Sequence, residues 1–427
     1  MNLKIKGICI LTVLLISAGA GAEETVLTID KAVQCASENN INIQQNKITL
    51  NALKRTKDFS WNSVSPSAAV SGNFSFPNEN LNYAYKYSES VQGSISVSLS
   101  PSLYSSMETA YLNYENGKIT YDKAVRSIEL NVRKTFYGLL YEQENIALLK
   151  RNLETAEQQY KQNKAKYQSG QVSELDMLTS QVSYEKLKPA LESAQVTFVN
   201  DLASFKHVLG IDQTATVALS GSLDDVLALQ GITVDTDING TPSVVSAENN
   251  VKIAKASLLA KRFSAYGPVV SASMTYGKAK TDVSDDFATS SSSSFSLGVS
   301  IPLDGYLPWS NSGLSIASSK DSLKTARLQL EDEKTTVAVS VNNYQNQIRQ
   351  GQLQIESLKA NIELAQKTYD MTLIAYNHGS KDLLSLQSAA DSLMSAKVSL
   401  ASQEYTLISA VLDLEGVLGV PFGTLGK

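Results

Sequence analysis

Between Val125 and Tyr167 the apolar positions advance by three and four residues at a time, through Val125, Ile128, Val132, Leu139, Ile146, Leu149, Leu153, Ala156, Tyr160 and Tyr167. Thr135, Glu142 and Asn163 are the polar members of the same series. A seam of this period over six heptads predicts a long coiled-coil helix. A second seam runs through Val337, Val341, Tyr344, Ile348, Ile355, Leu358, Ile362, Ala365, Tyr369 and Tyr376. Both seams stop at a glycine, Gly170 or Gly379, and a new helical stretch follows to Leu209 or Leu418. Each is therefore a helical hairpin with its turn at the glycine. The long arms, 103–168 and 310–377, outreach the return arms, 172–209 and 382–419. Shorter helices at 30–60 and 243–265 are expected to stack end to end with the return arms and make up the difference.

The two hairpins are copies. An offset of 209 aligns residues 132–210 with 341–419 without a gap, and 20 of 79 positions are identical. Ile146 matches Ile355, Tyr160 matches Tyr369, Tyr167 matches Tyr376, and both halves close on Val-Leu-Gly. A period this long means two structural halves rather than a solenoid of short repeats. Pro189, whose counterpart is Val398, is expected to bend its helix.

Four stretches follow a different rule. In 68–76, 91–100, 270–276 and 294–301 apolar side chains alternate with small polar ones, for example Ile95, Val97 and Leu99 against Ser94, Ser96 and Ser98, or Ala272 and Met274 against Ser271 and Ser273. Period two predicts strands of about the length that crosses an outer membrane, although a half-buried soluble sheet has the same alternation. The links at about 78–88 and 278–292 read as long polar loops, with Tyr83, Tyr85, Tyr87, Trp61 and Trp309 near strand ends where an aromatic girdle sits. Pro101 and Pro302 are expected to end strands and begin the long helices. Open strand edges cannot face hydrocarbon and the smallest membrane barrels have eight strands, so four strands require an oligomer, either a dimer of eight or a trimer of 12.

Composition narrows the chemistry. Formal charge is -5, from 37 basic and 42 acidic residues, with no basic block, which argues against a nucleic-acid partner. Two histidines and two cysteines, Cys9 and Cys35, are too few for a zinc site or a disulfide framework, so no metal and no cofactor is expected. Nucleotide loops and catalytic triads are also missing, so the chain does not read as an enzyme. Residues 1–22 resemble a secretory signal, with Lys4 and Lys6 before the apolar run Ile8–Ile16 and a small-residue site at Ala20-Gly21-Ala22. The apolar run is too short for a spanning helix, and neither cysteine follows a lipid-attachment motif. Cys35 reads as a small buried helix residue.

Duplicated halves, a heptad helix ending in Tyr167-x-x-Gly170 or Tyr376-x-x-Gly379, paired serine-rich strands and a closing Val-Leu-Gly together resemble the TolC family of outer-membrane efflux proteins. The resemblance covers essentially the whole mature chain. It implies a mainly helical fold with a small β part: coiled-coil hairpins forming an α-barrel in the periplasm, and four strands per chain contributing to a 12-stranded trimeric barrel in the outer-membrane lipid. On that reading the signal 1–22 is followed by a first repeat, 23–210, containing a β-hairpin at 67–100. An equatorial linker at 211–240, a second repeat at 241–420 with a β-hairpin at 268–302, and a tail at 421–427 complete the chain.

The resemblance further implies a passive exit duct for efflux or type I secretion, whose tips, at Gly170 and Gly379, dock on a periplasmic adaptor and a proton-driven or ATP-driven inner-membrane pump. Ser94, Ser96, Ser98, Ser271 and Ser273 would line the barrel lumen. By position a gate latch would fall on Asp176, Tyr376 and Lys381, although Ser173-x-x-Asp176 equally reads as a helix cap. Where some members carry entrance aspartates this chain has Ser385 and Ser388, which puts a cation-preferring entrance in doubt. The rival reading is a coiled-coil envelope protein that conducts nothing and acts as scaffold or tether.

Overall fold

The computed structural model describes residues 25–76, 87–223, 238–283 and 286–425. The expected signal, Tyr83, Tyr85 and residues 224–237 of the 211–240 linker lie outside them.

The chain begins with a short strand, β1 (Thr25–Leu27), then α1 (Ile29–Asn39) and α2 (Ile41–Asp58). The single helix expected over 30–60 is thus two. Asn40 causes the break: its extended backbone stops α1, and its side chain accepts the N–H groups of Asn42 and Ile43 to cap α2. The β-hairpin β2 (Ser67–Ser75) and β3 (Ser88–Leu99) leads into α3 (Ser102–Gln168), which returns as α4 (Glu174–Leu209). Strand β4 (Val217–Leu219) pairs in parallel with β1. The second half runs through α5 (Pro242–Tyr266), β5 (Val269–Val283), β6 (Asp286–Ser300), α6 (Asn311–Asn377) and α7 (Leu383–Leu418). The duplication survives to the residue: α3 and α6 each have 67 residues, and α4 and α7 each have 36. At ~1.5 Å per residue the long arms reach about 100 Å.

Three further sequence expectations need correction. Residues 278–292 are not a loop; they are mostly the continuing β5 and β6 ladder, paired as far as Val283 with Asp286. Backbone pairing does not depend on side-chain polarity, so a run of serines extends a strand once its neighbour supplies the partners. Pro302 does not start the second long helix. A short 3-10 turn, Asp304–Tyr306, intervenes, and Ser310 caps α6 by accepting the Gly313 N–H. Cys35 is half-buried rather than buried.

Helix α4 remains continuous through Pro189. The main core gathers Val132, Phe136 and Leu139 of α3, Phe205 and Leu209 of α4, and Ile408 and Leu412 of α7. A second core joins Val337, Val341 and Ile348 of α6 to Leu407, Val411 and Leu414 of α7. Helix α7 therefore packs both on α6 of its own hairpin and on α3 of the first, which is why its C-terminal half is apolar on nearly every side.

The four longer strands form one antiparallel sheet in the order β2-β3-β5-β6. Strands β2 and β6 are its edges, and among the described residues neither has a second neighbour. No helix of the described residues is long and apolar enough to cross a membrane.

Candidate functional site

Two surfaces of the chain are candidates for function: the faces of the four-stranded sheet, and the hairpin tips at the far end of the helices.

Register sorts the sheet into unlike faces. Ser67, Ser96, Ser273 and Ser296 lie side by side across all four strands, and the Ser67–Ser96 and Ser273–Ser296 hydroxyls meet at 2.9 and 2.7 Å. Ser94, Ser98 and Ser271 share that face. One residue along, Ala68, Ile95, Met274 and Phe295 form the matching row on the opposite face. That apolar face is bare: Val70 is 81% exposed and Phe295 73%. Each exposed large apolar side chain forgoes about 1.5–3 kcal/mol of burial, so a contiguous sheet of them needs an apolar environment. Trp61, in a 3-10 turn before β2, and Trp309, just ahead of α6, are exposed at the junction of sheet and helices.

The tips turn identically. Gly170 and Gly379 have φ of 72° and 73°, the left-handed region open to glycine, and each closes a Schellman turn. In the first, the Gly170 N–H donates to the Tyr167 carbonyl at 2.9 Å and the Gln171 N–H to the Lys166 carbonyl at 2.8 Å; Gly379 and Ser380 repeat this with Tyr376 and Ala375. The return helices start on different caps. Ser173 and Asp176 form a capping box, the serine hydroxyl donating to Asp176 Oδ2 at 2.7 Å and accepting the Asp176 N–H at 3.1 Å. Asp382 caps α7 alone, accepting the Ser385 N–H at 3.0 Å.

Of the three latch positions, Asp176 sits at the first tip, committed to its cap but close enough for its charge to act on Tyr376. Burial pushes the Tyr376 phenol above its usual pKa, the bond to Asn163 offsets part of this, and the Asp176 charge adds to it. Tyr376 bridges the hairpins, its hydroxyl donating to Asn163 Oδ1 at 2.9 Å. Lys381 stands exposed beside Asp382 and joins no ion pair of the described residues.

The family model for outer membrane efflux proteins matches residues 32–210 and 237–420, both repeats almost entire. The chain belongs to the outer membrane efflux protein family. Solved structures with the same fold include the CmeC outer membrane channel of Campylobacter jejuni, with 17% identity, a TM-score of 0.76 and coverage of 92% of this chain and 85% of that one. CusC matches at 16% identity and TM-score 0.78 over 95% and 96%. The outer membrane protein VceC of Vibrio cholerae matches at 12% identity and TM-score 0.74 over 92% and 96%. None of the curated proteins matches the sequence. As a member of the outer membrane efflux family the protein is an efflux channel of the outer membrane, with its helical part on the periplasmic side.

Sequence reasoning missed three residues of this efflux protein. Asn163 was visible only as a polar interruption of the seam, with nothing to show that its partner is 213 residues away. Glu142 interrupts the same seam and meets Asp201 of α4; burial, then Asp201, raises its pKa to about 7. Glu415 is fully buried, and its carboxylate accepts the Gly423 and Leu425 N–H groups, pinning the C-terminal segment. In each, the sequence signal was a polar residue on an apolar face.

Proposed function

We propose that three copies of this chain close a 12-stranded barrel and an α-helical tunnel, forming the passive exit duct of a tripartite efflux or type I secretion system. The sheet carries this reading. Its four strands alternate in direction, so β6 of one copy meets β2 of the next antiparallel, and repetition removes every edge. The bare apolar face then turns to lipid, and Ser94, Ser96, Ser98, Ser271 and Ser273 turn to a water-filled lumen. A tether would need neither face.

The tips around Gly170 and Gly379 are the docking end for a periplasmic adaptor, and energy comes from a proton-driven or ATP-driven inner-membrane pump. Asp176, Tyr376 and Lys381 form the gate. Lys381 is available to an acceptor on a neighbouring copy, and Asp176, at the adjacent tip, can bind it while keeping its cap, because a carboxylate accepts at both oxygens.

Mass measurement of the purified protein in mild detergent tests the assembly. A trimer that conducts in a planar bilayer is expected; a stable monomer in detergent-free buffer would overturn the duct. For the gate, Lys381→Asp should raise single-channel conductance, and adding Asp176→Lys should restore closure. Exposed ion pairs are individually weak, so over three subunits the shift in the closed-to-open ratio is about tenfold.

A further inference from the structure

Asn163 is a seam residue of α3 about two turns from the first tip, and it is 2% exposed. A buried amide in an apolar seam is costly unless both its ends are bonded. Here Oδ1 accepts the Tyr376 hydroxyl, while Nδ2 is buried with no partner. The tyrosine comes from α6, in the other hairpin. One hydrogen bond thus spans the two moving parts that the proposed gate requires, and Lys166 Nζ, 5.6 Å from the Tyr376 ring centroid, covers it.

The duplication shows that this contact is not a by-product of the repeat. Offsetting by 209 turns Asn163 into Thr372 and Tyr376 into Tyr167. Thr372 spends its hydroxyl on its own helix, donating to the Thr368 carbonyl at 2.7 Å, and Tyr167 is exposed. Only one of the two equivalent pairs is built as a tie. Asp176 has meanwhile been engaged by Ser173.

We infer that Asn163 is the intrachain partner of Tyr376 in the gate: a positioning residue that holds the second hairpin against the first in the closed duct through an uncharged bond. The inference rests on the duct proposed above and adds to it. Because phenol and amide are both neutral between pH 5 and 8, with the phenol held above its usual range, this part of closure is insensitive to pH and salt there. The ion pair proposed for Lys381 would weaken with salt.

The test records single channels of the full-length protein in planar bilayers for wild type, Tyr376→Phe, Asn163→Leu and the double variant, after checking that each keeps the wild-type mass in detergent, and measures the thermal midpoint of each. Both single variants should raise the open fraction, by about fivefold per subunit for one lost hydrogen bond. The double variant should add nothing further, since both substitutions delete the same bond. Wild-type open fraction should stay level from pH 5 to 8, and the gain in Tyr376→Phe should persist in 1 M salt. A wild-type open fraction in Tyr376→Phe, or additive effects, would overturn the tie and leave the duct standing. Seam packing alone would move the thermal midpoint of Asn163→Leu and not the gating of Tyr376→Phe, which also overturns it. Absence of conductance from every variant and from wild type would remove duct and tie together.

Discussion

Single side chains in this protein are decided by what faces them across a helix seam. Glu142 and Asp201 place two carboxyl groups together between α3 and α4, whereas the second repeat has Gly351 and Ala410 at the matching positions. Glu142 Oε2 is buried without a hydrogen-bond partner. With its folded pKa raised to about 7, Glu142 binds a proton in the native state that the unfolded chain releases from its ordinary carboxylate value upward. Stability therefore falls as pH rises from about 4.5 to 7, the reverse of a salt-bridged acid. Because the group is partly exposed, solvent screening reduces the effect to about 1 kcal/mol. Denaturant unfolding of wild type should show this loss between pH 5 and 8, and Glu142→Gln should flatten it. An unchanged slope in the variant would assign the titration to another group.

At the level of elements, the hairpin depends on its turn. Gly379 is left-handed, yet a Cβ built there meets nothing within 4 Å. Any cost of substitution is thus backbone strain alone, about 1–2 kcal/mol for alanine in this conformation. Gly379→Ala should lower the thermal midpoint while Gly379→Asn, a residue that tolerates this region, should lower it less. Equal losses for the two would mean that something other than φ governs the turn. Gly170, equally open, should behave alike.

The whole molecule is incomplete as a single chain, with two free sheet edges and an apolar face open to its surroundings. Cysteines placed at Ser94, Ser96 or Ser273 should react with a membrane-impermeant thiol reagent in reconstituted vesicles, and those at Val97 or Met274 should not. Labelling of both faces alike would mean that the sheet is not a barrel wall in lipid. The two tryptophans provide a check without any substitution: Trp61 and Trp309 should both be quenched by brominated lipid, because they lie exposed where sheet meets helix.

The duplication was legible as identity at a fixed offset. Periodicity alone determined the hairpins, their turns at Gly170 and Gly379 and the alternating strands, because each follows from local geometry: 3.6 residues per helical turn, two per strand, and a left-handed residue that only glycine adopts freely. Helix ends were legible within a residue or two for the same reason. The break at Asn40 and the extended β5–β6 ladder were not, since a side-chain cap can outweigh an apolar series and strand length depends on a partner strand. Which seam polar residues matter was decided only in three dimensions. Thr135, Glu142 and Asn163 look alike as interruptions of one series; whether such a residue meets a carboxylate on α4 or a phenol on α6 depends on how the two hairpins are laid against each other. That arrangement is set by α7 of the second hairpin, which packs on α3 of the first as well as on its own partner α6, through contacts that no spacing along the chain encodes.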